Sequence, residues 1–238
     1  MPSSREQKNS FFRVFFTVTS LPWVPVTIRL APAERALVAR LRTPAQVQAW
    51  LRDDVAYNHA KTSLRSFRGV LAHKTAHCLE GALAAAFVLE QHGYPPLLLD
   101  LESADGLDHV VFVYRQGDVG RWGAVGKSRY PALMGRKPVY RTLRDLAWSY
   151  VDPFVDKTGR VTGWALYDLR EDESKPDWRW DRRHVWRIER TLLEHPHAPL
   201  KTTNTRHRLW KRRYLAWKKE HPDAEPPRSF YPDGDRMT

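Results

Sequence analysis

The chain has 238 residues, of which 42% are hydrophobic, with one cysteine and a formal charge of +12. This suits one medium domain with extensions better than two independent full domains, since domains usually run ~100 to 200 residues. A single cysteine excludes any disulfide within the chain and is expected of a cytoplasmic protein in reducing surroundings.

Residues 1–30 read as an N-terminal arm. Phe11 to Val18 and Leu21 to Leu30 are apolar, but Arg13, Pro22, Pro25 and Arg29 interrupt them. No stretch reaches the ~18 apolar residues a membrane helix needs, and no small-residue cleavage pattern follows, so a soluble chain with no membrane partner is expected. The main domain is placed at 31–170. Ala36, Leu37, Arg40 and Leu41 predict a short helix. Thr43-Pro44-Ala45-Gln46 combines an N-cap threonine, a first-turn proline and a capping-box glutamine at the head of a second, with Val47, Trp50 and Leu51 as its buried stripe. Leu64, Phe67, Val70 and Leu71 predict another helix leading into the segment that carries the cysteine.

Cys78 opens an apolar helix from Leu79 to His92. Leu83, Ala86, Phe87 and Leu89 or Glu90 recur at three and four, Gly93 stands where a left-handed residue would end the helix, and Pro95 and Pro96 forbid its continuation. Leu97 to Leu101 reads as a buried strand, Glu102 to Asp108 as a polar loop, and Val110 to Tyr114 and Trp122 to Val125 as two further strands. A thiol at a helix N-terminus meets unpaired N–H groups and a positive dipole end, and a nearby histidine can hold its proton. His109 heads the second strand, so Cys78 and His109 form a candidate nucleophile and base. The thiol is then expected to titrate below the ~8.5 of a free cysteine. Two other readings use the same residues. Cys78 also suits an inert buried position and His109 a satisfied strand edge. His73 and His77, with Cys78 and His109, suit zinc by spacing, but the glutamate of a zinc protease is missing between the first two, and no metal or cofactor is assigned.

The runs His77-Cys78-Leu79-Glu80-Gly81-Ala82, His92-Gly93-Tyr94-Pro95-Pro96-Leu97-Leu98-Leu99-Asp100-Leu101, Asp108-His109-Val110-Val111 and Trp122-Gly123-Ala124-Val125-Gly126-Lys127-Ser128 carry a resemblance. Over Thr43 to Asp156, about half the chain, the sequence resembles the transglutaminase-like branch of the papain-like cysteine fold, in a bacterial subgroup of uncharacterised proteins. The resemblance implies an α+β core in which a cysteine-bearing helix packs on an antiparallel sheet. It implies a cofactor-independent cysteine hydrolase or acyltransferase acting on a peptide, amide or ester, with Cys78 and His109 as the catalytic pair. His77 and Glu80 beside the thiol, and Trp122 on the third strand, are assigned to substrate contact. In one place the chain departs from the family, whose tryptophan-bearing strand ends in an aspartate that orients the histidine. Gly126 stands at that position here, followed by Lys127 and Ser128. Ser128, Asp108 or a main-chain carbonyl is expected to substitute, with Asp100 and Asp105 also near, and the residues do not choose among them. Aspartate placed at Gly126 is expected to leave activity unchanged or raise it.

Thr142 to Tyr150 predicts a helix capped by Thr142, and Val161 to Leu169 a late strand. Residues 171–238 form a basic Trp/Arg-rich extension. Between Lys201 and Lys219 there is no acidic residue, and Trp210, Tyr214 and Trp217 recur at four and three, which predicts an amphipathic basic helix. Its aromatics can dock on the core. Arg206, Arg208, Lys211, Arg212 and Arg213 can meet nucleic acid or an acidic partner, or gather acidic substrates. An inactive scaffold binding through this extension is the alternative to an enzyme.

Overall fold

The computed structural model describes residues 29–60, 63–116, 120–155, 158–172, 177–181 and 184–238; almost all of the expected N-terminal arm lies outside them. Helices α1 (Pro32–Arg40) and α2 (Pro44–Asp53) form where apolar spacing and caps place them. Thr43 Oγ1 accepts from the Gln46 N–H (3.3 Å) and Gln46 Oε1 accepts from the Thr43 N–H (3.0 Å), the reciprocal pair that nucleates α2. Two short parallel strands, β1 (Ala56–Tyr57) and β2 (Thr75–Ala76), flank α3 (Phe67–His73). Lys74 takes a left-handed φ of +52° and stops α3 before the cysteine helix begins. His73 is therefore exposed in the last turn of α3, on a different element from His77, and the spacing that suggested zinc is broken.

Helix α4 (Cys78–Glu90) is the buried axis of the domain: every residue from Leu79 to Glu90 is buried, which explains its apolar surface all round. It lies on a six-stranded antiparallel sheet of order β6-β5-β4-β3-β7-β8, made of β3 (Leu97–Ser103), β4 (His109–Arg115), β5 (Trp122–Val125), β6 (Arg136–Tyr140), β7 (Val161–Asp168) and β8 (Ala198–Pro199). Side chains alternate across a strand. Leu98, Val110 and Phe112 meet α4, while Leu97, Leu99, Leu101, Val111 and Val113 face a second core with Tyr150, Trp164 and the short helix α5 (Leu143–Trp148). Each fully buried aliphatic side chain contributes roughly 1.5–3 kcal/mol. The expected α+β architecture, with the cysteine-bearing helix on an antiparallel sheet, is what forms.

The basic extension is not separate in packing. Ile188 and Leu192 of α6 (Trp186–Glu194) join the α4 core, Leu200 joins the opposite one, and Arg179 makes a two-pronged buried ion pair with Glu90 of α4 (2.6 and 2.7 Å). The last helix, α7 (Asn204–Glu220), buries Trp210 and Tyr214, with Trp210 packed among Ala132, Val155, Tyr231 and Met237. Lys127, just past β5, is buried and donates through Nζ to the carbonyls of Leu51 (2.7 Å) and Val55, closing the C-terminal end of α2. Its backbone passes so close to α4 that a Cβ on Gly81 would lie 2.6 Å from Lys127 Cβ.

Candidate active site

The N-terminus of α4 opens onto a cleft of about 530 Å³. Cys78 starts α4, His109 starts β4, the β3–β4 loop brings Asp105 to Asp108, the bend after β5 brings Ser128 to Tyr130, and α6 supplies the far wall with Trp186, Glu189 and Leu193. Thiol and imidazole, two elements apart in sequence, thus line one cleft at the head of β4, with the His109 ring on the side of the second core, against Tyr150 and Phe154.

Cys78 Sγ donates to the carbonyl of Asp108, the residue before His109 (3.9 Å). Burial pushes the Cys78 thiol up, and the charge of Asp100 adds to that, against N–H groups of Val110 and Leu79 that favour the thiolate. The expected lowering of the thiol is therefore corrected: the helix end is present, but burial outweighs it and pushes the thiol the other way.

His109 is buried between the rings of Tyr150 and Phe154, and its Nε2 lies 2.7 Å from the carbonyl of Leu133. A carbonyl only accepts, so Nε2 carries the proton and Nδ1 holds the lone pair of the neutral ring. Burial pulls this imidazole down to about 4; the Leu133 carbonyl opposes that, and Arg136 reinforces it. Leu133 ends the 3₁₀ turn Pro131–Leu133, which aims its carbonyl inward. The other expected orienters are engaged elsewhere. Ser128 Oγ accepts from the Tyr130 N–H (3.0 Å), Asp108 Oδ1 from the Ser103 N–H (2.7 Å), and Asp105 Oδ1 from Ser103 Oγ (2.7 Å). Asp100 is buried at the cleft, with Oδ2 3.3 Å from His197 Nε2.

Gly126 has no room for the family's aspartate. A Cβ there would sit 2.7 Å from Val111 Cγ1, and Gln48 clasps its backbone from both sides, accepting from the Gly126 N–H (2.9 Å) and donating to its carbonyl (3.0 Å). The expectation that Gly126→Asp would be neutral or helpful is corrected on that ground.

The residues assigned to substrate contact divide. His77 lines the cleft, its imidazole held below the ordinary range chiefly by burial. Glu80 is fully buried and accepts from the His77 N–H (2.9 Å), the Arg65 N–H (2.8 Å) and Asn58 Nδ2 (2.8 Å), so it caps α4 and pins the preceding loop. Trp122 lies in the core on the opposite side of the sheet, under the Arg115 guanidinium (5.3 Å), and does not line the cleft. Tyr57, Arg129, Phe154 and Glu189 line it without being singled out in the sequence, where no helix is expected at Trp186–Glu194. Arg206, Arg208, Lys211, Arg212 and Arg213 all lie on α7 and none lines the cleft.

Among the described residues, no three His, Cys, Asp or Glu side chains are grouped to hold a metal ion, and no helix is long and apolar enough to cross a membrane. No protein-family model matches the chain, and no curated protein matches it.

Proposed function

We propose that the chain is a transglutaminase-like cysteine hydrolase or acyltransferase acting on an amide or ester in the cytoplasm, where a lone thiol stays reduced. The observation that supports this reading is the shared cleft: a thiol at a helix N-terminus and a neutral imidazole with its tautomer held by the Leu133 carbonyl.

Cys78 Sγ attacks the carbonyl carbon while its proton passes to His109 Nδ1, and the N–H groups at the start of α4 receive the developing oxyanion. The imidazolium returns that proton to the departing amine or alcohol as the carbon–nitrogen or carbon–oxygen bond breaks. Water or an amine then attacks the thioester and frees the sulfur. Because thiol and imidazole both rest neutral, the proton moves during the attack rather than before it. Leu133 fixes the tautomer as an aspartate would, yet brings no full negative charge, so the imidazolium is less stabilised than in a complete triad.

The test is acylation by p-nitrophenyl acetate, followed by nitrophenolate release and by intact mass. A stable or transient acetyl adduct on the wild type, lost in Cys78→Ser and slowed in His109→Gln, supports the reading. Release at the wild-type rate from Cys78→Ser, with no adduct on either protein, rejects it in favour of a non-catalytic scaffold.

A further inference from the structure

Helix α7 has its aromatic face turned inward, and helix geometry of 100° per residue then sorts its cations. Trp210 and Tyr214 are buried and Trp217 half-buried, so residues flanking them lie against the body of the protein. Those flanking cations have partners: Arg206 holds Asp152 (2.6 and 2.7 Å), Arg213 covers the Trp210 ring (4.4 Å), and Lys218 reaches Glu225 (3.2 Å). Arg208, Arg212 and Lys219 project on the opposite side, within about 40° of one another and along about 16 Å of the axis. All three are exposed and make no ion pair among the described residues. A helix with no acidic residue before Glu220 thus presents a straight outward ridge of positive charge on a chain of net +12.

We propose that this ridge is a contact surface for the phosphate backbone of nucleic acid. Two of its three members are arginines, whose planar forks suit phosphate oxygens. An interfacial membrane helix needs its apolar face free, whereas that face of α7 is buried, and the exposed Leu209 and Leu215 lie on either side of the ridge rather than together. A peptide partner needs anchoring pockets, and a row of charges without one reads spaced phosphates instead. Trp210 and Tyr214 are buried and the half-buried Trp217 is stacked on His221 (4.3 Å), so the ridge itself carries no stacking platform and binding is to the backbone and independent of sequence.

The experiment is fluorescence anisotropy of the full chain with labelled mixed-sequence duplexes of DNA and of RNA, from about 50 to about 200 mM salt. Three phosphate contacts give about 2.7 of the log–log salt slope, equivalent to about 40-fold in affinity over that range. The combined Arg208→Gln, Arg212→Gln, Lys219→Gln protein should lose that share of the slope on both duplexes, with its circular dichroism unchanged. A charge-matched protein with Gln at Arg42, Lys137 and Arg141, all exposed elsewhere, should keep it. Absence of binding, equal loss in the charge-matched protein, or equal affinity for phosphatidylserine vesicles or poly-glutamate overturns the proposal.

Discussion

Replacing Gly126 by aspartate is expected to destabilise the fold rather than complete a triad. A new Cβ would stand 2.7 Å from Val111 Cγ1. Carbon atoms settle at ~3.5–4.0 Å, so one of them must move by about 1 Å inside a close-packed core. Val111 is fully buried, and overpacking of this kind costs about 1–3 kcal/mol. Displacing the backbone also strains the two Gln48 hydrogen bonds, at about 1 kcal/mol each. The expected total is about 3–5 kcal/mol. Urea unfolding of four proteins, wild type, Gly126→Asp, Val111→Ala and the double variant, measures this. If Val111 is the obstacle, the aspartate should cost at least about 1 kcal/mol less in the Val111→Ala background, because the two sites are in contact. Equal costs in both backgrounds, or Gly126→Asp at wild-type stability, would refute the packing argument. The acylation rate of the folded Gly126→Asp protein should fall, since the aspartate displaces the wall that holds His109.

Acid should weaken the wild type more than His109→Gln. The unfolded imidazole takes up its proton near ~6.5, while the native one resists down to about 4. Stability therefore declines as pH falls between those values, by about 3 kcal/mol at the lower end, and urea titrations of the two proteins that run parallel over this window would contradict it. Iodoacetamide should modify native Cys78 more slowly at neutral pH than a free thiol does, accelerating only above the usual thiol range; fast labelling at pH ~6 would show that the helix end wins over burial. Glu80→Ala strands two backbone N–H groups and removes one of the two acceptors of the Asn58 amide, so a loss of about 3–5 kcal/mol is expected by thermal unfolding, with Glu80→Gln milder. Trp210→Ala should release α7, seen as rapid tryptic cleavage within 204–220, where the wild type is expected to resist.

Local chemistry made the centre of the domain readable. The Thr43 and Thr142 caps, the apolar spacing from Leu79, the stop at Gly93 (φ +90°) and the β-branched strands all act within a few residues of one another. What stayed hidden acts at long range. Leu133 holds His109 through a main-chain oxygen, for which no side chain announces a role. Gln48 reaches Gly126 across 78 positions, and Val111 decides what fits there. Strand β6 carries Pro138, which reads as a breaker but is tolerated because β6 is the sheet's edge. The thiol's environment is hidden for a related reason: a helix terminus is visible in sequence, whereas the burial that opposes it comes from the tertiary structure.

The two walls of the cleft differ in how they can yield. Gln48 clasps Gly126 and Lys127 grips the end of α2, so the bend carrying Ser128 to Tyr130 and helix α2 form one mechanical unit. That unit also runs close to α4, where a Cβ added to Gly81 would lie 2.6 Å from Lys127 Cβ. The opposite wall, α6, is seated mainly through Ile188, Leu192 and the preceding Val185, while Trp186 and Leu193 line the cleft and stay exposed. The cleft is therefore framed by one wall tied to α2 through hydrogen bonds and by another seated mainly through apolar packing.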